Sequence, residues 1–338
     1  MAEKTDYPGF IANPHDKFFK ELLSDKAAAR DFLRGVLPSE ILNLINLDGL
    51  KANADSYVDE DLSEFFADLV FSVPYANTKR HNITISLLLE HKSFVPQQPV
   101  YLQLLQYMLG MWKQQWEDSK SLTPVLPVIF YHGTQRWKLV DLKTYFWKGK
   151  VEFPEVLKPF LPAFQYLLVD LSTYSEKEVR TLFGQMEVQM GLLLMKKIFS
   201  SEIIEELKTV LEGASALMEQ ENGRIFIQTI VVYLYSSKRE VSLTQIVDKM
   251  KEVSTKAGEA GLTIAEQLLQ EGMEQGMEQG IKQGMEQGIK QGIAEGIERV
   301  LKKGVLTVEQ IADAFEVERD YVQQLYERVQ QENKTPGK

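Results

Sequence analysis

Two periodicities divide this chain. From residue 65 to residue 92, two runs rich in Phe, Val, Ile and Leu flank a polar, turn-prone stretch at 74–81. Branched and aromatic side chains suit a pleated surface, so the runs predict two strands joined by a turn. Near-continuous apolar runs at 125–131 and 164–171 predict further strands buried on both faces. Elsewhere the spacing is helical. Phe18, Phe19, Leu22 and Leu23 form a stripe that starts after Asn13-Pro14, a capping residue followed by proline at the first helical position. Helices are expected over 27–36, 39–45 and 99–116. The last has Tyr101, Leu104, Leu105, Met108 and Trp112 on one face and Gln103, Gln106 and Lys113 on another. Between 175 and 256 the pattern stays helical, clearest at 186–199, 203–218 and 225–235. Strand, helix, strand in this order implies an α/β core with a mixed central sheet flanked by helices.

Three charged residues punctuate the first two strands. Residues two apart on a strand share a face, so Glu90 and Lys92 point one way and His91 the other. An antiparallel register centred near Lys79 sets Asp68 beside Glu90. Two carboxylates and a lysine converging at a strand end suit a hard divalent cation holding a phosphodiester. Glu90 also follows an apolar run, where a merely structural charge is expensive. Charges at strand ends that simply stay wet are the competing explanation.

Composition narrows the classes. The chain has 338 residues, 44% of them hydrophobic, which suits one main domain with appendages. No apolar run approaches a membrane span, and the first residues lack the layout of a signal peptide. With no cysteine, disulfides and thiolate metal sites are excluded, and a reducing cytoplasm is the expected setting. Four scattered histidines argue against a zinc site. A net charge of −10 means that any grip on DNA depends on local basic patches and a metal. Two patches qualify. One is Lys79-Arg80-His81; the other runs from Arg136 through Lys138, Lys143 and Lys148 to Lys150, interleaved with Trp137, Tyr145, Phe146 and Trp147. An ordinary solvated loop with anchoring aromatics accounts for the second equally well.

Four ordered segments carry a resemblance. Asn13-Pro-His-Asp-Lys-Phe-Phe-Lys20, Phe66-Ala-Asp-Leu-Val-Phe-Ser72, Leu88-Leu-Glu-His-Lys-Ser93 and Leu126-Pro-Val-Ile-Phe-Tyr-His-Gly133 together resemble the Rpn family of recombination-promoting nucleases, of the PD-(D/E)XK nuclease superfamily. The resemblance spans roughly the first two-thirds of the chain. It implies a PD-(D/E)XK-like core and a magnesium-dependent endonuclease acting on double-stranded DNA and linked to recombination. Asp68 and Glu90 would be metal ligands and Lys92 the active-site lysine. Asp16 matches the family's His-Asp motif, and Gln103 and Gln106 are accessory candidates, because the helix after the motif strand often sends a glutamine toward the site. Asp16 in a first helical turn also favours the helix dipole, which explains it without catalysis. The alternatives are an inactive DNA-binding protein and an oligomeric interaction protein on a nuclease-like scaffold. No separate acidic triad supports strand transfer.

The remainder is a tail. Gly272, Gly276, Gly280, Gly284, Gly288, Gly292 and Gly296 recur at every fourth position, each followed by Met or Ile. As a helix, the stripe advances about 40° per step beyond a full turn and favours a right-handed wrap. Seven glycines cost roughly 6 kcal/mol relative to alanine, so either a partner helix packs on the stripe or the segment is a loose linker. Self-association is the favoured reading. Residues 306–325 resemble a small helix-turn-helix, with Thr307 and Gln310 as a capping box. Its second helix offers few positive groups for DNA, so a subunit-pairing cap competes with a DNA reader. The expected organisation is a nuclease-like core at 1–175, a helical extension at 176–260, the repeat at 261–300 and the helix-turn-helix-like tail at 301–338.

Overall fold

A computed structural model describes residues 11–52, 69–76, 84–146, 153–220 and 222–334. Helices α1 (Pro14–Leu22), α2 (Lys26–Val36) and α3 (Ser39–Leu42) precede strands β1 (Lys51–Ala52), β2 (Leu69–Pro74) and β3 (Thr84–Lys92). Helix α4 (Val100–Ser119) leads to β4 (Val125–Tyr131), α5 (Lys143–Phe146) and β5 (Leu167–Asp170). Six helices follow: α6 (Glu176–Leu182), α7 (Met186–Lys197), α8 (Ile203–Val210), α9 (Ala214–Leu217), α10 (Gly223–Ser237) and α11 (Leu243–Val253). The chain closes with α12 (Thr255–Lys303), α13 (Val308–Phe315) and α14 (Arg319–Lys334).

The sheet is mixed, in the order β1-β2-β3-β4-β5. β2 and β3 pair antiparallel with Leu69 opposite Leu89 and Pro74 opposite Thr84, the register expected from the sequence. β3 and β4 run parallel with Glu90 opposite Ile129 and Lys92 opposite Tyr131. Parallel neighbours need a crossover, and α4 supplies it. β3 is therefore central, with a helical layer on each face.

Period-two alternation sends β3 and β4 side chains to two different cores. On one face Val70, Ile129 and Tyr131 pack with Tyr101, Leu104, Met108 and Met111 of α4. On the other, Phe19 stacks on Phe130 with centroids 4.5 Å apart, and Phe32 meets Phe130 edge-on at 5.5 Å. Behind these lies α7, whose residues Met190 to Met195 are all buried. A helix apolar all round belongs inside a fold, and α7 packs on α1, α2, α6, α8 and α10. The helices after residue 176 thus complete the core under α1 and α2.

Three local expectations need correction. Asn13 does not cap α1 with its side chain; it sits at φ 51° in the left-handed region, which asparagine tolerates. The helix expected over 203–218 is two helices, because Gly213 at φ 96° takes the chain out of α8 before α9 begins. The strand expected over 164–171 is shorter, as Leu167–Asp170, and Asp170 then caps the next turn by accepting from Ser172 N at 2.9 Å.

The chain divides into two compact units, 1–267 and 268–338. In the second, Ile297, Ile311, Val322 and Leu325 form a small core. Thr307 and Gln310 make the expected capping box, and Glu316 at φ 52° turns the chain between α13 and α14. The glycine repeat is helical, within α12. Among the described residues no helix is long and apolar enough to cross a membrane.

A histidine cluster fastens the α1–β3–β4 junction. His132 lies 5.1 Å from His15 and 5.0 Å from His91, ring centre to ring centre, with Phe199 and Tyr233 around them. The Met195 carbonyl accepts from His132 Nδ1 at 3.1 Å, and His15 Nδ1 meets the Tyr233 hydroxyl at 2.8 Å. Burial lowers the pKa of His15 and His91 and pulls that of His132 down to about 3. Unfolded histidines titrate near 6.5, so below that pH the unfolded chain binds protons that the folded chain refuses. The His132 contribution is intact above pH 6.5 and falls on acidification toward 3, by about 1.4 kcal/mol per pH unit, and His15 and His91 act in the same direction. His132→Asn, whose amide keeps a donor for Met195, should flatten that acid limb by about one proton in urea-unfolding measurements across this range.

Candidate active site around Glu90

Glu90 stands near the end of the central strand, 2% exposed. Lys92 is on the same face, two residues on, and its ammonium lies 2.6 Å from Glu90 Oε1. Gln103, on the first turn of α4, donates to the same oxygen at 2.7 Å and lies 2.7 Å from the Tyr107 hydroxyl. The crossover helix thus presents its glutamine to the strand it follows. Both donors converge on Oε1. The second carboxylate oxygen, Oε2, is buried without a hydrogen-bond partner among the described residues.

That asymmetry is the chemical signature of the site. An unsatisfied buried carboxylate oxygen costs about 1–3 kcal/mol or more, so Oε2 is the atom of this site open to a further partner. Burial raises the pKa of Glu90, Lys92 and Gln103 oppose that rise, and Asp16 adds to it. The Lys92 side chain is 17% exposed and that of Glu90 3%, so Lys92 is the more accessible member of a largely buried pair.

The sequence candidates divide clearly. Glu90, Lys92 and Gln103 meet within hydrogen-bonding distance. Asp68 lies outside the described residues; its neighbour Leu69 pairs with Leu89, one position before Glu90. Asp16 forms an i,i+4 pair with Lys20 at 3.1 Å. Gln106, three residues beyond Gln103 on α4, is exposed. Lys79 and Arg80, like Lys148 and Lys150, lie outside the described residues. Arg136 and Lys138 are exposed, but Trp137 between them is 8% exposed and packs edge-on against Tyr131 at 5.2 Å. Trp137 is a core anchor and offers no stacking surface for a base; Tyr145 and Phe146, 42% and 46% exposed, remain open.

Two features escape a reading of the sequence. Tyr107 steadies Gln103, and no motif marks it. The three histidines that meet behind β3 each come from one of the ordered motif segments, a signal that was present but pointed to no shared location. Among the described residues no three His, Asp or Glu side chains cluster as metal ligands. The donors at hand, one buried carboxylate with a free oxygen, fit a hard cation that prefers oxygen and takes one or two carboxylates.

Comparison with known proteins agrees with the motifs. The chain resembles the recombination-promoting nuclease RpnA of Escherichia coli K12, at 27% identity over 265 residues, covering 77% of this chain and 85% of the relative. The inactive recombination-promoting nuclease-like protein RpnE of the same strain is 25% identical over 80% of this chain and 85% of its own length. RpnD of Escherichia coli O157:H7, a recombination-promoting nuclease, is 25% identical over 76% of this chain and 94% of its own. No solved structure gives a significant match. The family model described as "Putative transposase, YhgA-like" matches residues 13–224, which span every motif segment and the whole sheet, and the chain belongs to that family.

Proposed function

We propose that this protein is a magnesium-dependent DNA endonuclease that hydrolyses phosphodiester bonds in double-stranded DNA and acts in recombination, in the cytoplasm. The observation that carries the reading is the Glu90 carboxylate, with one oxygen held by two donors and the other buried and unpartnered. The named activity of the RpnA and RpnD relatives supports it. Asp68 and Glu90 are the residues to hold the ion. A bound magnesium would supply an acidified water and positive charge against the phosphate. Glu90 presents Oε2 in a fixed direction because Lys92 and Gln103 pin Oε1. Lys92, the more accessible of the pair, is the cation to meet a phosphate oxygen or the attacking water. Arg136 and Lys138 are exposed cations that suit the DNA backbone in an otherwise acidic chain.

A second reading has a specific observation behind it. RpnE is named inactive although it resembles this chain over a similar span. An inactive protein that only holds DNA would share the fold and lack the cut.

Plasmid digestion separates the two. The intact protein should nick supercoiled DNA with magnesium and fail with chelator, and Asp68→Ala and Glu90→Gln should abolish nicking while the thermal transition survives. Undiminished cutting by either variant sinks the assignment; DNA retention without any metal-dependent cutting by the intact protein selects the inactive reading. Gln103→Ala should lower the rate roughly ten- to a hundred-fold and raise the magnesium needed for half activity, as loss of a group that orients a ligand does. Gln106→Ala, on the exposed face, should change neither.

A further inference from the structure

Beyond the Glu90 site, the unit 1–267 holds a cavity of about 450 Å³, a volume typical of small-molecule sites. Tyr101, Phe164 and Tyr166 are its aromatic walls, and Asp141, Lys143 and Gln165 supply polar groups. Phe164 and Tyr166 each meet the Tyr101 ring steeply, at 71° and 66°, with centroids 5.3 and 5.1 Å away. The Tyr101 hydroxyl meets the Leu142 backbone and the Tyr166 hydroxyl meets Trp137, so both rings are held before anything binds. Fixed aromatic faces around a space of this size suit a flat ring, and nucleobases stack on such faces.

The polar groups choose among flat rings. Asp141 stands just before the short helix α5, and its Oδ1 accepts from Lys143 N at 2.9 Å. Its Oδ2 takes no hydrogen bond among the described residues, and the side chain is exposed. A carboxylate offers acceptors only. Guanine alone among the DNA bases carries two adjacent donors on its pairing edge, the ring N1–H and the exocyclic amino group. Adenine and cytosine set an acceptor beside the amino group, and thymine flanks its N–H with two carbonyls. Each of those would turn a lone pair toward Asp141. Lys143, exposed at the same cavity, adds positive charge for a phosphate.

The cavity shares a sheet face with the Glu90 site. Leu168 pairs with Ile129, Ile129 pairs with Glu90, and Tyr166 lies two residues before Leu168. Two strand spacings of about 4.8 Å and two residues of about 3.3 Å set the Tyr166 and Glu90 backbones roughly 12 Å apart. At about 3.4 Å per nucleotide, that is about three or four nucleotides of one strand. The first turn of α4 stands between them, with Tyr101 at the cavity and Gln103 on Glu90.

We propose that this cavity is a base-binding site that accepts one unpaired guanine of the DNA strand held at Glu90. The inference rests on the DNA reading above for its substrate, and it adds a guanine preference a few nucleotides from the cut.

Equilibrium dialysis of the full chain without metal tests the site apart from cutting. One dGMP should bind per chain, at least about tenfold more tightly than dAMP, dCMP or dTMP. Asp141→Asn keeps an acceptor for Lys143 N but puts a donor where the other oxygen stood, and should erase most of that preference. Phe164→Ala should weaken every nucleotide about tenfold, as loss of a stacking ring does. Should its thermal transition collapse, Asp141→Asn decides alone. Failure of dGMP to bind, equal binding of the four nucleotides, or an unchanged preference in Asp141→Asn overturns the proposal. A protein that binds dGMP in this way and cuts nothing refutes the nuclease reading alone, and one that cuts and binds no nucleotide refutes this site alone.

Discussion

A carboxylate buried in the central strand organises this fold. Glu90 is ionisable, nearly inaccessible and flanked by Leu89 and the packed ring of His91. Such a group is tolerable only when donors reach it, and here both reach one oxygen. The requirement explains the parallel crossover in physical terms. β3 has to be interior for Glu90 to be dry, and α4 has to pack directly on β3 and β4 for Gln103 to arrive. Tyr101, Leu104, Met108 and Met111 hold the helix in that position, so the apolar layer sets the direction of the polar one.

The reverse face of the same strand carries a different chemistry. His91 points away from Lys92 into the aromatic layer of Phe19, Phe130 and His132. Period-two alternation keeps the two environments apart across one strand: a carboxylate whose proton affinity rises with burial, and imidazoles whose affinity falls. Both shifts have desolvation as their largest cause, with opposite sign because the charged form is the deprotonated one in the acid and the protonated one in the base. Helix α7, buried from Met190 to Met195, closes the histidine side and supplies the carbonyl that fixes the His132 tautomer.

The acidic balance of the chain then becomes intelligible region by region. Its net charge of −10 includes many glutamates on exposed helix faces, among them Glu274, Glu278 and Glu286 on α12. In the segment after β4 the exposed side chains include Arg136 and Lys138. On the proposed function a negative total is compatible with a DNA substrate, because solvent screens distant charges within about 8 Å at physiological salt and Lys92 with a bound cation would set the local field at the strand end.

The sequence by itself determined the α/β order, the hairpin register, the sharing of one face by Glu90 and Lys92, and the capping box at Thr307. All of these rest on local periodicity or on spacings of two to four residues. The family was legible for a similar reason, since ordered motif segments survive as strings. The tertiary structure alone decided that Gln103 rather than Gln106 meets Glu90, because two glutamines on one turn differ only by the direction in which the helix is packed. It also decided that Trp137 is a core anchor, that Gly213 splits a continuous helical pattern, and that His15, His91 and His132 form one cluster. Those facts are contacts between residues far apart in the chain, and no short-range pattern encodes where two distant segments will meet.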